Sequence, residues 1–84
     1  MYKLRISLQA QKELKKINKL HRQLVISALE DIKENPFQGK LLKRELSGKV
    51  AYRIGVYRII YKIDASDKII NIITAGHRSV VYKN

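Results

Sequence analysis

The sequence predicts an α+β fold: a helical hairpin packed on one face of a mainly antiparallel four-stranded sheet. Three observations predict it. The chain opens on a run that alternates apolar and polar residues. Two segments with helical periodicity then follow back to back, and the second half is a series of strand-like runs separated by turn residues. At 84 residues, positions 1–84 suffice for one domain and not for two.

In the opening run Tyr2, Leu4, Ile6 and Leu8 fall on one side and Lys3, Arg5 and Ser7 on the other, the period of a half-buried strand. Ser7 stands where a helix N-cap belongs. Ala10, Leu14 and Ile17 follow at helical spacing, with Lys12, Lys15 and Lys16 outside. Asn18–Leu20 is read as the break between helices. Leu24, Ala28 and Ile32, widened by Val25 and Leu29, mark a second helix that stops at Asn35-Pro36, because the residue before proline disfavours helical backbone. A link this short makes the two helices an antiparallel hairpin. Residues 36–40 read as a loop, Leu41–Glu45 as a short strand or extended segment, and Ser47-Gly48-Lys49 as a turn. Strands follow at Ala51–Ile54 and Val56–Asp64, with Gly55 as a bulge or tight bend between them, and at Ile69–Ala75 after a turn at 65–68. Gly76-His77-Arg78 is expected to leave the last strand.

Charge narrows the function. Eighteen Lys and Arg against seven Asp and Glu give +11, beyond the magnitude of roughly 2–8 that solubility asks of a small domain. With 45% apolar residues the chain is too hydrophobic for a disordered basic tail. The charge therefore decorates a folded domain and points to a polyanion or an acidic protein as partner. The absence of cysteine excludes disulfides and thiolate metal sites. His21 and His77 are far apart and the acidic residues are scattered, so neither a metal nor another cofactor is expected. With no apolar run of signal-peptide or membrane-spanning length, a cytoplasmic protein without membrane association is expected.

The second half contains Leu46-Ser47-Gly48, then Tyr52-Arg53-Ile54-Gly55-Val56-Tyr57-Arg58-Ile59-Ile60-Tyr61, then Gly76-His77-Arg78 and Val81-Tyr82. This order and spacing resembles the signature of the RelE/ParE toxin superfamily of type II toxin–antitoxin systems, and the resemblance extends from Tyr2 to Tyr82. It implies a RelE-like fold and an acidic cognate antitoxin. In the RelE branch it implies cleavage of messenger RNA on the ribosome, and in the ParE branch inhibition of DNA gyrase without nuclease chemistry. A member that only binds RNA or antitoxin is the third alternative. The free toxin is expected to be a monomer.

Residue by residue, Arg58 matches the family's central-strand arginine, Arg78 the arginine of the Gly-His-Arg segment, and Tyr82 the C-terminal tyrosine of RNA-cleaving members. Arg53 stands where the RelE type has a catalytic lysine, and Gly55 where it has a second. Lys40 stands where YoeB-like relatives place a glutamate. Metal-free RNA cleavage uses the substrate 2′-hydroxyl as nucleophile. It needs a base, an acid and positive charge for the phosphorane oxygens. Arg53, Arg58 and Arg78 meet the charge requirement, since guanidinium binds phosphate with two parallel donors. Tyr82 is a candidate to stack on a base or tune a proton transfer. His77 is a secondary catalytic candidate, as the local group whose unperturbed pKa suits proton transfer. Lys40, Lys43 and Lys49 are candidate RNA contacts that position without specifying. Several have a plainer reading: a solvated edge-strand charge for Arg58, a simple carboxylate or backbone contact for Arg78, a hydrogen-bonded structural residue in a turn for His77, and a core tyrosine with a wet hydroxyl for Tyr82.

Overall fold

A computed structural model describes residues 2–41 and 48–77, with side chains for 2–39 and 48–77. Strand β1 (Lys3–Ile6) leads into helices α1 (Leu8–Lys16) and α2 (Lys19–Glu34). A single 3-10 turn at Pro36–Gln38 follows, then strands β2 (Lys40–Leu41), β3 (Val50–Ile54), β4 (Tyr57–Asp64) and β5 (Ile69–His77). The strands form one sheet in the order β1-β5-β4-β3-β2. β2 to β5 pair antiparallel and β1 pairs parallel with β5. The α+β architecture is the predicted one, with four strands of four or more residues and a two-residue strand at the edge.

Caps explain the start of each helix. Ser7 Oγ accepts from the Ala10 N–H at 3.0 Å and donates to the Ile73 carbonyl at 2.7 Å, so one hydroxyl caps α1 and fastens it to β5. The break between helices is shorter than predicted. Only Ile17 and Asn18 lie between them, and Asn18 Oδ1 caps α2 through the His21 N–H at 3.0 Å. Arg22 then closes the hairpin. Its guanidinium donates to the carbonyls of Leu14, Lys15 and Ile17 at 2.9–3.1 Å, which places a cation where the α1 dipole is negative. At the other end of α2, Asn35 and Pro36 stop the helix, and the buried Tyr61 hydroxyl donates to the Pro36 carbonyl at 2.7 Å.

Alternation sorts the sheet into two sides. Toward the helices, Val25, Ala28, Leu29 and Ile32 pack on Val50, Ile59, Tyr61, Ile70, Ile72 and Ala75, with Leu4, Ile6, Tyr52, Tyr57 and Ile63 at the margin. On the outer side Ala51 and Ile60 form a second, small cluster against Ile73. Two apolar residues depart from the predicted pattern. Leu8 begins α1 rather than ending β1 and is 75% exposed, and Leu24 lies at the margin of its stripe, 51% exposed. A register shift opposite Ile60 and Tyr61 adds Ile73 to β5, and the strand continues through Gly76 and His77 instead of releasing them. Among the described residues no helix is long and apolar enough to cross a membrane.

Candidate functional site

The β3–β4 hairpin builds the site. Its loop is Gly55-Val56, and Gly55 has φ +59, the left-handed backbone that a two-residue hairpin requires and glycine takes without strain. Ile54 then pairs with Tyr57, and Arg53 with Arg58. Paired residues share a side of the sheet. Since Tyr57, Ile59, Tyr61 and Ile63 all pack toward the helices, Arg58 and Arg53 lie on the outer side. Arg58 is 6% exposed, whereas Arg53 is open to solvent. On its other flank Arg58 pairs with Gly76, which puts no side chain beside it.

Two guanidinium-bearing residues directly opposite on one side of a sheet repel each other. The structure brings Arg53 and Arg58 together. It does not bring His77 to them. His77 pairs with Tyr57, and their rings meet edge to face at 6.0 Å on the helix side. Of the predicted RNA contacts, Lys49 is half-buried just before β3 and Lys40 pairs with Ala51. Arg78, Tyr82 and Lys43 lie outside the described residues, as do residues 42–45 of the predicted Leu41–Glu45 segment and Ser47 of the predicted turn.

Two groups escape a reading of the sequence because only the fold assembles them. His21 of α2 reaches β4, where its Nδ1 and the Tyr57 hydroxyl are 2.8 Å apart and the rings lie edge to face at 5.5 Å. Tyr57 and His77 flank an open cavity of about 350 Å³ that Glu13, Lys16, Ile17 and Asn18 help to line. Glu13 is the second: its carboxylate accepts from the Thr74 hydroxyl at 2.6 and 2.8 Å and from the Ala75 N–H at 3.0 Å. That clamp fixes β5 immediately before Gly76, and so fixes the strand that flanks Arg58. Among the described residues no group of three or more His, Cys, Asp or Glu is placed to hold a metal ion.

Comparison with known proteins adds kinship to this geometry. Residues 4–82 match the family model described as the ParE toxin of the parDE type II toxin–antitoxin system. The chain belongs to the ParE toxin family. It is thus a type II toxin of the RelE/ParE superfamily. Toxin RelG of Mycobacterium tuberculosis is 32% identical over 84 residues, covering 98% of this chain and 97% of that one. In the RelBE2 toxin–antitoxin complex of the same organism, one chain matches at 33% identity with a TM-score of 0.85, covering 92% of this toxin and 98% of that chain. The isolated RelE toxin of E. coli shares the fold at 24% identity and a TM-score of 0.78, covering 99% and 93%.

Proposed function

We propose that this toxin is an endoribonuclease that cuts messenger RNA on the ribosome and is silenced by an acidic antitoxin. The observation that carries the reading is the Arg53–Arg58 pair, set across β3 and β4 on the side of the sheet away from the helices. The likeness to RelG and to a chain of RelBE2, each above 30% identity over nearly the whole length, supports it.

In this reading the substrate 2′-hydroxyl attacks the adjacent phosphorus and the 5′-oxygen leaves, giving a 2′,3′-cyclic phosphate and a free 5′-hydroxyl. Arg58 and Arg53 hold the two non-bridging oxygens, whose negative charge grows in the transition state. They are already in place when it does. Neither arginine is a base near neutral pH, so the rate rests on positioning and charge, and the ribosome supplies the oriented substrate. Arg78 and Tyr82 are assigned to the same phosphate and the adjacent base. His77, on the helix side with Tyr57, is not assigned a part in proton transfer. The antitoxin follows from complementarity: the RelBE2 chain is one half of a toxin–antitoxin complex, and a +11 surface favours an acidic partner.

The test is cleavage of a defined messenger RNA by purified toxin, with and without programmed ribosomes, mapped by primer extension. Ribosome-dependent cuts that disappear in Arg58→Ala and fall at least tenfold in Arg58→Lys support the assignment. The ParE family match favours one rival, a toxin that poisons DNA gyrase. Intact RNA together with inhibited supercoiling by purified gyrase selects it.

A further inference from the structure

A second basic row crosses the outer side of the sheet. Arg5 of β1 pairs with Asn71 of β5, and Asn71 pairs with Lys62 of β4, so three adjacent strands bring these residues onto one side. It is the side of Arg53 and Arg58, because their neighbours Leu4, Ile6, Ile70, Ile72, Tyr61 and Ile63 pack toward the helices. Arg5 and Lys62 are exposed and Asn71 is half-buried. Lys3, also exposed, is the next residue on that side of β1.

The spacing of the rows suits a chain of phosphates. Lys62 is four residues beyond Arg58 on the same strand, about 13 Å at the rise of a β-strand. The residue between them on that side is Ile60, which is 3% exposed and packs with Ala51 and Ile73. Among the described residues Asp64 is the carboxylate nearest along β4, on the same side as Lys62; it stays ionised and attracts Arg5, and against Lys3, Arg5 and Lys62 it leaves that side with an excess of positive charge. The Asp67 N–H and the Ser66 hydroxyl hold it below the usual carboxylate range, with Arg5 adding a smaller pull. Two exposed cations flanking an amide, in register on three adjacent strands, offer donors to backbone oxygens and no feature that reads a base.

We propose that the Arg5–Asn71–Lys62 row is a second phosphate-binding row, which holds the backbone of single-stranded RNA after it passes the Arg53–Arg58 pair. This rests on RNA being the substrate and extends the contact along the sheet toward β1.

The experiment measures binding of 2′-O-methylated RNA, which cannot be cut, as a trinucleotide and as longer strands containing the same three bases. Wild-type toxin should bind longer strands more tightly than the trinucleotide. The double variant Arg5→Gln/Lys62→Gln should lose that gain and keep its trinucleotide affinity. For the long strand, the slope of log affinity against log salt should shrink by about 1.4, at ~0.7 for each of two lost single-strand phosphate contacts. A double variant with unchanged length gain and salt slope overturns the row, as does a toxin that binds no strand of any length. Ribosome-dependent cleavage by the same two proteins keeps the readings apart. Wild-type cleavage with an unaltered length gain rejects the row alone, and a row-dependent gain without cleavage rejects the nuclease alone.

Discussion

Arg53 and Arg58 face each other across β3 and β4 with the same charge, a pairing that cross-strand repulsion disfavours. A sheet optimised for stability would put an acid or a neutral residue opposite a buried arginine. Replacing Arg53 by glutamine leaves a shorter, neutral polar side chain at an exposed position and removes the repulsion. The folded protein should gain roughly 0.2–1 kcal/mol, the range for a cross-strand pair, and the gain should shrink as salt rises. Under the proposed nuclease reading cleavage should fall at the same time, because the phosphorane would lose one of the charges assigned to it. Urea unfolding at low and high salt, set beside the cleavage rate, checks both halves. A variant that is less stable and fully active would mean that Arg53 serves the fold. At this scale the sequence was informative where a residue type is scarce and its strand neighbours fix its side. The strands that carry Arg53 and Arg58 could be placed before the fold was known, but not the burial of Arg58 on the middle strand of the sheet, where a solvated edge-strand charge was the plainer reading. His77 could not be placed, because its side depends on β5 running two residues further than the glycine suggested.

Among the elements, the contact between Tyr61 and the turn after α2 joins helix to sheet. Burial pushes the Tyr61 pKa from 10.0 up to about 12, with Tyr52 adding to the push. The hydroxyl donates to the Pro36 carbonyl. Tyr61→Phe leaves that carbonyl buried without its donor and should cost about 1–3 kcal/mol at neutral pH. The alkaline limb fixes the sign of the linkage. The unfolded tyrosine loses its proton near pH 10 and the folded one only near 12, so between these values the unfolded state binds fewer protons and stability falls as pH rises. Tyr61→Phe lacks that fall, and the gap between wild type and variant should narrow from pH 10 to 12. A constant gap in chemical unfolding across that range would contradict the assignment. Gly39 sits beside the same contact: a Cβ there would meet Val50 Cγ1 at 2.5 Å, the Tyr61 hydroxyl at 2.8 Å and the Ala51 carbonyl at 2.9 Å. Local signals at these joints were legible. Ser7 reads as a cap and Asn35-Pro36 as a stop, because each acts on backbone within a few residues. Asn18 was taken for part of a break when it caps α2, since a short polar side chain serves either purpose. The parallel pairing of β1 with β5, 66 residues apart at Lys3 and Ile69, is a property of the assembled sheet, and no local pattern encodes it.

For the whole molecule, +11 on 84 residues is a standing opposition to compactness, and a domain of this size has little buried surface to set against it. Any polyanion that binds only the folded state should therefore stabilise it by mass action. At a free concentration about 100 times its dissociation constant, the gain is about 2.7 kcal/mol. For a domain of 60–100 residues each kcal/mol moves the midpoint by about 4–8 °C, so heparin at that excess should raise Tm by roughly 10–20 °C in low salt. The shift should collapse as salt rises, because counterion release drives the binding. Differential scanning fluorimetry with heparin over a salt series tests this without reference to nuclease activity, antitoxin or ribosome. A shift that persists undiminished in high salt would place the affinity in apolar contact, and attention would move to the exposed Leu20, Leu24 and Phe37. A fall in Tm would mean that the polyanion prefers the unfolded chain. The basic side chains would then not be organised by the fold into a binding surface, and the two rows on the outer side of the sheet would lose their physical basis together.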